Sequence, residues 1–394
     1  MTAAASTATP SSTTTAITTS TPTPTPIRRA AVLAALLLSA SPVHAVEMVR
    51  IAIATGVTKA TISGPGLAMA PLRDGAAPAS VEGGGQAEVA LAHDVLTVNG
   101  VRLDAAGATF TGSGPIRTSA APAASLLGEV EVRRSGNGLL VVHSLPLEDY
   151  VAAVVGSEMP AGFPPQALQA QAVAARTFAV FKKLESVAEG RAWHLGATVL
   201  DQVYRASPVD PRARAAAEAT AGEVLVFEHA PIEAYFHSAC GGRTERGAEA
   251  LGRDLPYLAS VTCGRCDASP RRRWTVRVPA SEMGRLCGLG GPATSTRVAG
   301  RTSSGRAQRI EVSGRGRRVT LTAADLRQRL GFERLPSLAF DVRASHGSIV
   351  FEGRGAGHGA GLCQWGAAGA ARNGEGYRAI LSRYYPGTEI VRMY

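Results

Sequence analysis

The stretch from Leu145 to Lys183, LPLEDYVAAVVGSEMPAGFPPQALQAQAVAARTFAVFKK, leaves few choices of fold. Leu147, Val151, Val154 and Val155 stand at i, i+4, i+7 and i+8, the apolar stripe of an amphipathic helix. Pro160, Gly162, Pro164 and Pro165 end that helix and start another, with proline near its first position. Leu168, Ala172, Ala175 and Ala179 then repeat at i, i+4, i+7 and i+11, a stripe small enough to pack closely against the first helix or a sheet. One carboxylate, Glu158, sits at the joint. It follows Leu147 by eleven residues, about three turns, which places it on the inward stripe and in the helix's last turn. Partial burial and the negative end of the helix dipole both oppose its ionisation, which suits a general acid. The competing reading is an exposed Glu at a frayed helix end. Gln171 and Arg176, on the second helix, are the polar candidates beside it. Arg176 suits either a substrate hydroxyl or carboxylate, or a helix surface.

The upstream chain reads as export followed by strands. Residues 1–26 are almost all Thr, Ser, Ala and Pro, a composition that cannot build a core. Arg28-Arg29, the apolar run AAVLAALLLSA and the small-residue exit Ser41-Pro42-Val43-His44-Ala45 form a Sec-type signal pattern. Cleavage is expected after Ala45, and membrane attachment only if that segment stays uncleaved. Short alternating segments follow at 49–53, 87–92, 95–98, 130–133 and 139–142, with Asn99-Gly100 and Asn137-Gly138 as hairpin turns. Residues 46–143 are therefore expected to form a β-rich lobe. The formal net charge of +10 suits an anionic partner. The only dense basic run, Arg271 to Arg273, is short and lacks any nucleic-acid motif around it, so a nucleic-acid partner is not expected.

Three further segments carry chemistry-bearing residues. His237 and Cys240, followed by Cys263 and Cys266, have spacing that suits a tetrahedral zinc, with Cys363 able to supplement or replace His237. Disulfides are the rival, favoured by export, and five cysteines leave one over. From Gly353 to Gly361 glycine falls at every second position, and His358, Gln364 and Trp365 lie in or just after that run. No P-loop Lys-Ser/Thr is present, so the run does not read as a nucleotide loop. Alternating glycine instead allows close backbone approach to a ligand or to another segment, and Trp365 suits the face of a sugar. Between these segments, residues 274–351 read as strands and short helices, with Thr322 capping a helix to Leu330.

LPLEDYVAAVVGSEMP and ALQAQAVAARTFAV closely resemble the core of the SpoIID/LytB family, exported bacterial proteins acting on peptidoglycan. Asp201-Gln202-Val203-Tyr204, the YFHSACGGRTE segment and GAGHGAGLCQWGA resemble further family elements. The resemblance covers about residues 46–394. It implies an α+β fold with helical and β-rich lobes around a catalytic cleft, residues 144–394 forming the catalytic region and about 274–351 a β/helix segment within it. It also implies lytic transglycosylase activity on glycan strands or, for some members, enhancement of a cell-wall amidase. Glu158, in the EMP triplet, takes the catalytic place. Gln171, Arg176, Tyr204, His358, Gln364 and Trp365 become candidates for substrate contact. Gln169 stands where the family often has Lys, and only His194, with no Cys, lies where some members bind zinc ahead of the QVY element. That metal site is not carried over. The proposed chemistry needs no cofactor, and a structural zinc at the cysteines remains one of two readings.

Overall fold

The computed structural model describes residues 46–81, 85–122, 124–197, 201–205 and 209–394. The expected leader and signal peptide, residues 1–45, lie outside these. Among the described residues no helix is long and apolar enough to cross a membrane.

The N-terminal strands form two sheets. One has seven strands in the order 195–196, 48–57, 138–146, 129–135, 107–111, 68–71 and 79–80; the other has five, in the order 101–102, 95–98, 86–92, 59–63 and 117–118. Sequence alternation explains the second sheet: Ala87, Val89 and Leu91 face the core while their neighbours are more exposed. Gly138–Pro146 is buried along almost its whole length because both its faces are covered. Leu139, Val141 and Leu145 join the main core, whereas Leu140 and Val142 pack with Ala52 beneath Ala192 and Trp193. Asn99 and Gly100 both have positive φ, 50° and 79°, as a tight hairpin turn requires. The other hairpin turns one residue earlier than expected. Ser135 pairs with Gly138, so the turn residues are Gly136, at φ 56°, and Asn137.

Helix α1 (Leu147–Glu158) leads through the proline turn into α2 (Pro165–Ala188). From Ala167 to Val180 nearly every residue of α2 is buried, not one stripe alone. The cause is its surroundings. Helix α1, α3 (Pro211–Ala219), the strand Glu223–Phe227 and two C-terminal helices all pack on it, and its alanines let them approach. Helix α4 (Gly247–Leu251) follows. The N-terminal sheets and these helices share one hydrophobic core, running from Val49 to Tyr385.

Residues 274–353 build a second core of their own, around Trp274, Met283, Ile310, Leu326, Phe340 and Phe351. It holds α5 (Ala280–Leu286), α6 (Ala323–Leu330) and two three-stranded antiparallel sheets. The Thr322 hydroxyl caps α6 by accepting from the Asp325 N–H at 3.0 Å. The strands Ser295–Arg301, Phe340–Ser345 and Ser348–Gly353 had no clear sequence signal, since charged residues and glycine interrupt their apolar alternation. The chain then returns to the main core through α7 (Gln364–Arg372) and α8 (Tyr377–Tyr384). The fold is α+β.

Candidate active site around Glu158

Glu158 is the last residue of α1 and is half-buried. Its Oε1 accepts the Val203 backbone N–H at 3.0 Å, and its Oε2 lies 3.5 Å from the Gln364 amide nitrogen. It forms no salt bridge among the described residues. Burial raises its carboxyl above the ordinary range, and the donors from Val203 and Gln364 and the nearby Arg205 charge only partly offset this. The Val203 donor sits between two buried residues. Gln202 and Tyr204 alternate inward along an extended segment, where the Tyr150 hydroxyl donates to Gln202 Oε1 at 2.8 Å and Gln202 Nε2 reaches the Ala175 carbonyl at 3.3 Å.

The second wall comes from the start of α7. The Gln364 amide also donates to Gln171 Oε1 at 3.4 Å, giving a chain from Glu158 through Gln364 to Gln171. Gln171 is fully buried, and its Nε2 has no partner among the described residues. Trp365 meets Phe163 edge to face at 4.8 Å, so the turn after Glu158 is braced against α7. A hollow of about 290 Å³ lined by Phe163, Leu168, Gln169 and Arg212 adjoins that turn. The larger cleft, about 720 Å³, lies elsewhere, between Arg272, Trp274, Arg301 and Arg354 beside the second core.

Three expected substrate contacts are engaged inside the protein instead. Arg176 is fully buried, and its five N–H donors are all taken. They reach both oxygens of Glu148 at 2.8 and 2.5 Å, Thr220 Oγ1 at 3.3 Å, and the carbonyls of Glu223 and Ala217 at 3.2 and 3.0 Å. No face is left for a ligand. The Tyr204 hydroxyl lies 2.9 Å from His143 Nδ1, while His143 Nε2 lies 2.7 Å from the Leu127 carbonyl. A carbonyl only accepts, so Nε2 carries the hydrogen and Nδ1 accepts from Tyr204. The same logic applies to His358. Its Nε2–H donates to the Phe236 carbonyl at 2.8 Å and its Nδ1 accepts the Ala360 N–H at 3.2 Å, so neither nitrogen is free. Burial holds its pKa down to about 4.

The alternating glycines serve the chain itself. Gly357 and Gly361 have φ of 102° and 67°. A Cβ on Gly357 would stand 2.7 Å from the His237 Cβ, and one on Gly361 would stand 1.9 Å from the Tyr235 carbonyl oxygen. The run is thereby pressed against residues 235–239, and Phe236–His237 pairs in parallel with Leu362–Cys363. This brings four buried sulfurs together, those of Cys240, Cys263, Cys266 and Cys363, all within 4.8 Å of one another. His237 is not among them; its Nδ1–H donates to the Ala360 carbonyl at 3.0 Å. Of the two candidates for the fourth position, Cys363 is the one that converges. Cys287 belongs to the second core.

Two roles had no signal in the sequence. The Val203 contact is made by a backbone N–H, which residue identity does not encode. Glu148 pairs with Arg176 across two helices, a pairing that no helical spacing announces.

Residues 135–227 match the family model described as Stage II sporulation protein. The chain is 33% identical over 265 residues to the Stage II sporulation protein D of Bacillus subtilis strain 168, covering 63% of this chain and 75% of that protein. The chain belongs to the stage II sporulation protein D family. An uncharacterized protein of Brachyspira hyodysenteriae is 34% identical over 258 residues, covering 64% of this chain and 68% of that protein. The Amidase enhancer of B. subtilis is 27% identical over 286 residues, covering 60% of this chain but 39% of that longer protein. The stage II sporulation match contains Glu158, Gln171, Arg176 and Tyr204. Residues 273–361, nearly coincident with the second core, match a separate family model, Domain of unknown function (DUF8618). Within this family member, Gln364 reaches Glu158, and Trp365 packs on Phe163, from beyond both matched segments.

Proposed function

We propose that this chain is an exported lytic transglycosylase that cleaves peptidoglycan glycan strands between N-acetylmuramic acid and N-acetylglucosamine, with Glu158 as its acid and base. The observation that carries the reading is the setting of Glu158: a half-buried carboxyl, raised by burial, with no salt bridge among the described residues and two neutral donors. Such a group keeps its proton to higher pH than an ordinary carboxyl yet tolerates losing it.

The protonated carboxyl gives its proton to the glycosidic oxygen as the bond to muramic acid C1 breaks. The resulting carboxylate, steadied by the Val203 N–H and the Gln364 amide, takes the proton of the muramic 6-hydroxyl. That oxygen closes onto C1 and forms the 1,6-anhydro ring. The proton count balances, Glu158 returns to its starting form, and no water is consumed. A single carboxylate therefore suffices, unlike the pairs used by hydrolases. Trp365, braced by Phe163, supplies an apolar face for a sugar.

The second reading is a wall-binding protein that enhances a cell-wall amidase, and it draws on the similarity to the Amidase enhancer. Digestion of purified glycan strands by wild type and by Glu158→Gln, read by mass spectrometry, separates the two. Wild type should yield anhydromuramyl ends, and Glu158→Gln should yield them about 10²–10⁴-fold more slowly. If wild type gives no cleavage product, while both proteins stimulate an amidase equally, the enzymatic reading is wrong.

A further inference from the structure

The four buried sulfurs converge from separate stretches of the chain. Cys240 follows the Phe236–His237 strand, Cys263 and Cys266 lie on the turn before the second core, and Cys363 immediately precedes α7. We propose that these four cysteines hold a structural zinc ion that clasps the base of the inserted 274–353 module to the main core.

The spacing suits the ion. Ligands about 2.3 Å from a tetrahedral zinc stand about 3.8 Å from each other. Here the four Sγ atoms lie within 4.8 Å of one another, and Cys240 and Cys266 are 3.7 Å apart. All four cysteines are buried. Tetrathiolate zinc carries net negative charge, and such a site needs hydrogen-bond donors around its sulfurs. They are present. The Cys240 and Gly366 N–H groups point to Cys363 Sγ at 3.2 and 3.3 Å, the Gly242 N–H to Cys240 Sγ at 3.3 Å, and the Tyr384 hydroxyl to Cys263 Sγ at 3.1 Å. Cys363 is also the N-cap of α7, where the helix dipole favours an anionic sulfur. Gly366 shows how closely the site is built: a Cβ there would stand 2.5 Å from Cys263 Sγ and 2.2 Å from the Tyr384 oxygen. Four ligands close the coordination sphere, so this metal leaves no position for a reacting water.

Its place in the chain gives the site a purpose. Cys266 lies just before Trp274, where the module begins, and Cys363 lies ten residues after Gly353, where its last strand ends. The metal ties both ends of the insertion to Cys240 on the main core. A second tie stands beside it. Arg306, from a hairpin of the module, donates to the Cys240 and Arg243 carbonyls at 2.8 and 3.1 Å. The clasp also fixes the first residue of α7, Gln364, whose amide meets Glu158. That last consequence rests on Glu158 being the acid; the clasp itself does not.

The test uses the full chain, purified without chelator and without added reductant. Elemental analysis should find one zinc per chain, and X-ray absorption at the zinc edge should fit four sulfurs at about 2.3 Å. Cys363→Ser should lose zinc on dialysis against a chelator, whereas Cys287→Ser should keep it. Hydrogen exchange at residues 267–273 and 354–366 should rise on zinc removal, while α2 stays protected. Metal-free protein carrying two disulfides among these four cysteines would overturn the proposal, as would a zinc shell containing nitrogen or oxygen. Glycan cleavage is scored separately. Zinc-loaded protein without cleavage removes the reading of Glu158 and leaves the clasp, and cleavage by protein purified without zinc and with its four cysteines in two disulfides does the reverse.

Discussion

Replacing Arg176 by Met tests whether this residue serves the fold or the substrate. The substitution keeps the volume of the buried helix position and removes five donors. Removing one partner of a buried ion pair costs about 3–5 kcal/mol. The lower end applies here, because Glu148 is 29% exposed and keeps two other donors, the Gly222 N–H at 3.2 Å and the Tyr394 hydroxyl at 2.6 Å. A loss of about 3 kcal/mol corresponds to roughly 4 °C in Tm for a chain of this size. Burial works to raise the Glu148 carboxyl, but the Arg176 guanidinium, together with the Tyr394 hydroxyl and the Gly222 N–H, holds the group below its ordinary 4.5. The contribution of the pair is therefore present above about pH 4.5 and fades as pH falls through the lower folded value. Thermal melts of wild type, Arg176→Met, Glu148→Met and the double variant should show the double variant less destabilised than the sum of the singles by about 1–3 kcal/mol. At a temperature where it is folded, Arg176→Met should keep the wild-type KM for glycan strands. An unchanged Tm with a raised KM would refute the reasoning and return Arg176 to the substrate.

Further outcomes follow from the site's other residues. Because burial raises the folded pKa of Glu158 above 4.5, the native state holds this proton longer than the unfolded chain does. The group therefore lowers stability as pH rises from about 4.5 through its folded value, and Glu158→Gln should gain on wild type across that window in urea midpoints taken at several pH values. Gln364→Leu removes one donor from Glu158 and strands the Gln171 amide. It should cost about 1–3 kcal/mol and move the alkaline limb of the kcat profile to higher pH. Trp365→Ala removes the edge contact with Phe163 and should raise KM by about 2–12-fold with little change in kcat, as read by glycan-turnover kinetics.

Helical periodicity and the Pro164-Pro165 pair were enough to place α1, α2 and the carboxylate between them, because those signals are local. The Thr322 cap was legible for the same reason. Arg176 was not: an arginine on an alanine-rich helix reads as exposed or ligand-binding until the partners that bury it are known, and Glu148 lies on a different helix. Tyr204 and His358 misled in the same way, since His143, Phe236 and Ala360 take up their polar atoms through long-range packing. The glycine run allowed either a ligand or another segment. The approach of Gly357 and Gly361 to residues 235–237 shows that the neighbour is the chain itself. His237 and Cys363 looked equivalent as a fourth ligand because cysteine spacing carries no register. The parallel pairing of Phe236–His237 with Leu362–Cys363 supplies it.

In the proposed mechanism Glu158 serves the muramic 6-hydroxyl rather than a water, and the most direct test is the mass of the new glycan end formed in ¹⁸O-labelled water. If the muramic 6-hydroxyl is the nucleophile, each new muramic end is lighter than the hydrolytic product by one water and carries no label, and Glu158→Gln suppresses its formation. Ends that carry ¹⁸O would show that water attacks, contradicting the single-carboxylate mechanism.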